Sequence, residues 1–242
     1  MNISNSSSGL STLPKLGETV GSKEVRAISD LLTTFRIYEI DAVAARQPRA
    51  IESEPILASD ASNLSSFIFW LKVNHSDIFE LLVRDMRYIS PTIGDIDFEI
   101  IGGSTDAVKL VFKENNLIGS TDLADASFGT VRSLALLAML HDPNPPKLTC
   151  IEEIDHGLHP YALDVVVDRL RSASSRSQFI VATHSPAFVN RLNAEEIIIC
   201  ERGSDGASHI PAIPRGEIKE IMRETNLSAG ELWFSGALGG VL

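Results

Sequence analysis

Cysteine is nearly missing from this chain, with Cys150 and Cys200 the only two in 242 residues. That excludes a disulfide-stapled scaffold. Each cysteine stands in a β-branched apolar run, so both read as buried strand residues in a reducing compartment. Positive charge is also scarce: 21 Lys and Arg stand against 32 Asp and Glu, a net charge of −11. A surface broadly attractive to nucleic acid or anionic membrane is disfavoured, and nothing indicates nucleic acid as a partner. No run approaches the roughly 20 apolar residues of a membrane span. The N-terminus lacks the basic start and apolar core of a secretory signal, so a cytoplasmic protein is expected and the Asn2 and Asn5 sequons carry no meaning. There is no internal repeat.

What is present suits a folded domain, since 44% of the residues are hydrophobic in a chain of 26.3 kDa, enough to bury a sizeable core. The stretch MNISNSSSGLSTLP is polar and aperiodic, and residues 1–20 read as a tail. From Ser22, Val25, Ile28, Leu31 and Leu32 recur at helical spacing, and FRIYEID then alternates like a strand. Two helices follow within residues 60–90, one capped from Asp60–Asn63 and one from Asp77. IDFEI and VKLVF, joined by IGGSTDA, read as an antiparallel hairpin. Lys147–Glu152, Tyr161–Ala173 and Gln178–Thr183 read as strand, crossover helix and parallel strand. Ile197–Cys200 is expected to pair with Ser208–Ile210, and a last helix is expected over Glu217–Arg223.

Chemistry concentrates in three places. CIEEIDHGLHP, residues 150–160, ends one buried strand with two carboxylates, and THSP, residues 183–186, ends the next with an imidazole. Ligands of open α/β sheets sit outside the carboxyl ends of the strands, so Glu152, Glu153 and His184 fall on one rim. Strand alternation would turn the two glutamates opposite ways, one toward a hydrated metal ion and the other toward a water. A solvated strand end is the plainer alternative. Upstream, Ser127 and Gly129 open a helix whose exposed N–H groups suit an anion, with ordinary capping by Ser127 as the alternative.

ASFGTVRSLALLAML, KLTCIEEIDHGLHP and QFIVATHSP, in this order, resemble the signature motif, the Walker B strand with D-loop, and the switch histidine of ABC-type ATPase heads. The likeness is to bacterial AAA-type ATPases related to SMC-like and anti-phage ATPases, and it runs from about Pro14 onward. It implies an α/β fold: part of a P-loop NTPase of ABC-head type, with a parallel sheet flanked by helices, a helical insertion at 60–90 and a β-hairpin. The motif block spans residues 122–190 within a lobe from 21 to 242. ATP and Mg²⁺ are implied. Glu153 would activate the attacking water, Glu152 would hold the Mg²⁺ shell, and His184 would sense the terminal phosphate. Ser127 and Gly129 would contact a nucleotide held by the opposite subunit, with His159 at that interface. Ile154 replaces the usual proline, and Asp155-His156 the usual Glu-Asn, which alters the loop after the acids.

A P-loop of the form G-x-x-x-x-G-K-[ST] does not occur in the 242 residues. GETVGSKE, Gly17–Glu24, has the wrong spacing and no strand before it. The expectation is a lobe with little activity alone, either a fragment or a subunit completed in a homodimer or by a partner chain that supplies the P-loop lobe. The alternative is a non-catalytic scaffold or regulatory module that keeps the ATPase fold. A Toprim nuclease, fused to similar heads in relatives of the overcoming-lysogenization-defect type, has too few residues after Cys200 to fit. A zinc site at His156 and His159 lacks the helical spacing such a motif needs, and His141 is expected at the surface.

Overall fold

A computed structural model describes residues 22–103 and 106–238. The polar tail of residues 1–20, most of the Gly17–Glu24 stretch, positions 104–105 of the hairpin turn and the last four residues lie outside it.

Helix α1 (Ser22–Thr33) leads into strand β1 (Arg36–Tyr38). The strand is shorter than FRIYEID suggests because Asp41 turns the chain. Its Oδ1 accepts from the backbone N–H groups of Val43 and Ala44 at 2.8 and 3.2 Å and starts the short α2 (Ala42–Ala45), a standard capping arrangement. After β2 (Arg49–Ala50) come the two expected helices, α3 (Leu64–Asn74) and α4 (Ser76–Ile89). Phe67, Ile68 and Leu71 of α3 and Leu82 and Met86 of α4 lie in the main core. The hairpin of β3 (Ile93–Ile101) and β4 (Ala107–Glu114) forms as expected, with β2 and β5 (Ser120–Asp122) on the far edge of β4.

Helix α5 (Phe128–Leu140) is buried along its whole length from Val131 to Leu140. Then follow β6 (Leu148–Ile151), α6 (Pro160–Ala173), β7 (Gln178–Val181) and the short α7 (Pro186–Val189). Strands β1, β6 and β7 make one parallel sheet in that order. The remainder is β8 (Glu201–Arg202), β9 (Ser208–His209), α8 (Arg215–Thr225) and α9 (Ala229–Phe234). Ile197, Ile199, Ile218, Ala229, Leu232 and Leu238 gather there into a second small core.

Several expectations need correction. The late ladder pairs Glu201–Arg202 with Ser208–His209 rather than starting at Ile197. Cys200 is exposed and Cys150 half-buried, because Cys200 lies outside any strand and Cys150 lies on an uncovered sheet face. His141 is no surface residue. It closes α5, and its Nε2 lies 2.7 Å from Oδ2 of Asp85, a fully buried carboxylate that also takes a two-pronged contact from Arg169 at 2.5 and 2.9 Å. A buried carboxylate is tolerated when paired this way.

The parallel sheet has unequal faces. Tyr38 and Ile151 belong to the main core, with Val181 packed against it. In the next register row, Ile37 pairs with Cys150 and Cys150 with Ile180, and here Ile37 is 61% and Ile180 56% exposed. Parallel sheets are normally covered on both faces.

Candidate functional site

The hydrogen bonding of β6 runs one residue past its end, since Glu152 N–H donates to the Tyr38 carbonyl at 3.1 Å. On the other side Ala182 N–H donates to the Ile151 carbonyl at 2.9 Å. At Glu153 the backbone turns left-handed, with φ +46°, a region that non-glycine residues seldom occupy. Simple alternation therefore fails: Glu152 and Glu153 are both exposed, and Ile154 is buried. Glu153 Oε2 lies 3.1 Å from Nδ1 of His156.

Arg132 of α5 holds this turn. It is 5% exposed, and it donates from Nη1 to the Ile40 carbonyl at 2.7 Å and from Nη2 to the Glu153 carbonyl at 2.9 Å. Its guanidinium lies 5.9 Å from the Phe128 ring centre. Burial pulls its pKa down, and the charges of Glu153 and Asp155 oppose that. One side chain thus joins the ends of β1 and β6 to the start of α5.

Two glycines set the contact between α5 and the loop. A Cβ on Gly129 would stand 2.6 Å from the Gly157 carbonyl oxygen, and one on Gly157, where φ is +71°, would stand 2.8 Å from the Phe128 ring. The rings of Phe128 and His156 are 5.8 Å apart. From the β7 side, Thr183 Oγ1 donates to Asp155 Oδ1 at 2.5 Å and accepts from Ser185 N–H at 3.0 Å. Asp155, one of the residues that depart from the family pattern, thereby fastens the acid loop to the segment carrying His184. His184 is exposed, its ring centre 6.4 Å from that of Trp233, whose Nε1–H donates to the His184 carbonyl at 3.3 Å.

Glu152, Glu153 and His184 therefore sit at the ends of adjacent parallel strands, with Gly129 packed against the loop between them. Ser127 and His159 have local partners. Ser127 Oγ accepts from Thr130 N–H at 3.1 Å, and His159 Nδ1 accepts from Tyr161 N–H at 3.3 Å, each capping its helix. Sequence reasoning missed Arg132, Thr183 and Trp233. Arg132 alone left a signal, a single charge in an otherwise apolar or small helical run.

A parallel sheet bearing carboxylates and a histidine at successive strand ends is the core of a P-loop NTPase fold of the ATPase-head kind. A solved SMC head bound to the C-winged helix domain of ScpA superposes with TM-score 0.51 at 18% identity, over 81% of this chain and 63% of that one. The Smc head of Pyrococcus furiosus with its extended coiled coil matches at TM-score 0.46 and 19% identity, over 70% of this chain and 45% of that one. Residues 28–190 match the family described as "AAA domain, putative AbiEii toxin, Type IV TA system". The chain belongs to that family. It is also 27% identical over 139 residues to the "Retron Vc95 probable ATPase" of Vibrio cholerae serotype O1 biovar El Tor; the match takes in 52% of this chain and 27% of that protein's length.

Proposed function

We propose that this chain carries the hydrolytic half-site of an ABC-type ATPase head, with ATP as substrate. The observation that carries this reading is the uncovered sheet face. The exposed row of Ile37, Cys150 and Ile180 runs toward the strand ends beyond which Glu152, Glu153 and His184 stand exposed. A lobe bringing a P-loop would bury this row and set its phosphates beside the acids. That lobe would come from outside these 242 residues, in the cytoplasm.

In this reading Glu153 accepts a hydrogen bond from the attacking water and orients it. The left-handed turn aims its carboxylate, and Arg132 fixes the turn through the Glu153 carbonyl. His184 donates to the terminal phosphate, with its backbone steadied by Trp233. Ser127 and the first-turn N–H groups at Gly129 face the partner's nucleotide, with His159 at the same interface. Among the described residues no three His, Cys, Asp or Glu side chains gather to hold a metal. A lone exposed carboxylate at Glu152 fits Mg²⁺, which keeps several waters and is bound through one or two carboxylates plus phosphate oxygens. When bound, Mg²⁺ supplies charge neutralisation at the phosphates.

The test is ATP turnover by the chain alone and after addition of a family lobe carrying G-x-x-x-x-G-K-[ST]. Turnover is expected only in the mixture, and Glu153→Gln should lower it roughly 10²–10⁴-fold while nucleotide binding persists. One observation favours the scaffold reading: Ser127 and His159 already have structural duties as caps. Under it, Glu153→Gln and His184→Ala would change nothing in the mixture.

A further inference from the structure

At the opposite end of the parallel sheet from the acids, where β1 begins and Pro145-Pro146 lead toward β6, lies a cavity of about 670 Å³. This is within the range of small-molecule sites, about 300–1,000 Å³. Three of its lining side chains are more than nine-tenths buried and present a polar end with no hydrogen bond among the described residues: the Tyr38 hydroxyl, the Trp70 indole N–H and one carboxylate oxygen of Asp142, at 1%, 8% and 7% exposure. The other Asp142 oxygen accepts from Asn144 N–H at 2.8 Å. None of the three atoms is wholly cut off from solvent, and three unpaired polar ends on side chains that line one concavity point to a ligand.

The electrostatics choose its class. Asp142 is a buried carboxylate with no ion pair among the described residues, and the charges of Arg176 and His75 act on it only from a distance, against the larger effect of burial. Arg176 spends its guanidinium on the carbonyls of Asp142 and Leu140 at 2.8 and 3.2 Å. Arg36 spends its own on those of Thr33 and Phe35 at 2.7 and 2.9 Å. Burial pushes the Asp142 carboxyl up, while burial and then the Asp142 charge push the Tyr38 hydroxyl up to about 12. The lining holds two carboxylates, Asp142 and Glu54, against one guanidinium, Arg36, together with the imidazole of His75, so an anionic ligand is disfavoured. A neutral one would leave the carboxylate desolvated and unpaired. A cation satisfies Asp142, can take the Tyr38 oxygen as a further acceptor, and lies favourably against the Trp70 ring.

We propose that this cavity binds a small organic cation, an alkylammonium or guanidinium compound, whose charge meets Asp142 and whose body lies against Trp70. The chain has two tryptophans, so a Trp233→Phe background leaves Trp70 as the only indole. In that background, fluorescence is followed on titration with 1,4-diaminobutane and agmatine, with 1,4-butanediol and succinate as neutral and anionic controls. A saturable one-site change with the cations alone is expected, weakened about tenfold or more by Asp142→Asn and less by Tyr38→Phe. Circular dichroism checks the fold of each variant, and if Asp142→Asn does not fold, Tyr38→Phe decides. No saturation with either cation up to roughly 10 mM overturns the proposal, as does an equal response to butanediol or succinate. Affinity unchanged in the deciding variant also overturns it, because that is the mark of general attraction to an acidic chain.

Discussion

On one face of the parallel sheet Tyr38 and Ile151 join α5 and α6 in the main core; on the other Ile37, Cys150 and Ile180 stand open in a register row. The covered side is also tied by charge, with Asp85 of α4 held by Arg169 of α6 and by His141 at the end of α5. The exposed carboxylates and imidazole stand at the strand ends, where this open side finishes. Burial thus separates two kinds of consequence within one sheet. Substitutions on the covered side should act on stability, and those on the open side on chemistry and assembly.

The widest separation is expected at Glu153 and Asp85. Glu153→Gln, at the exposed strand end, should cut turnover in the completed ATPase roughly 10²–10⁴-fold and leave the urea midpoint of the isolated chain unchanged. Asp85→Ala should do the reverse. It strands Arg169, 30% exposed at its side chain, and should cost about 3 kcal/mol in urea unfolding. Loss of stability in the first variant, or its absence in the second, breaks the division.

Acid sharpens it. Burial alone would raise the Asp85 carboxyl, but hydrogen bonds from His141 and Arg169 outweigh that and hold it below its ordinary range. Its folded pKa therefore lies below the unfolded value of about 3.9. The stabilisation is fully present above that value and is lost as pH falls through the folded one. Urea midpoints of wild type and Asp85→Asn should differ at pH 7 and converge as pH drops below about 4.

Arg132 belongs to both sides. It is buried with the core, yet it holds the carbonyl of Glu153. Arg132→Met should cost about 2 kcal/mol through two freed carbonyls and also slow turnover in the completed ATPase without preventing nucleotide binding. A purely thermodynamic effect, with turnover intact, would deny it a part in positioning the acid.

The parallel β6 and β7 pair and its rim were legible because β-branched apolar runs bracket a helix opened by Pro160, a pattern carried by neighbours in sequence. So was the hairpin. What escaped notice depends on distance along the chain. Arg132 meets carbonyls 92 and 21 residues away, and His141 meets an aspartate 56 residues away; no local spacing encodes either. The expected alternation of Glu152 and Glu153 fails at a left-handed turn that no glycine marks in the sequence. Helix α9 was missed despite a readable signal, the capping box of Ser228 and Glu231.

The smallest effect on stability is expected on the open row itself. Ile180 sits on β7, which pairs only with β6 among the described strands, and the Ile180 side chain is already more than half in solvent. Replacing it with serine removes little burial, so the isolated chain should change by less than about 0.5 kcal/mol. If that row is where another lobe docks, the same change removes apolar area from the interface and adds a hydroxyl that must be desolvated. Ile37→Ser and Ile180→Ser together should therefore weaken association with the P-loop lobe, measured by sedimentation velocity, while leaving the thermal transition of the chain in place. Unchanged association would mean that the completing lobe approaches from elsewhere, and the uncovered face would then need a different explanation from the acids at its end.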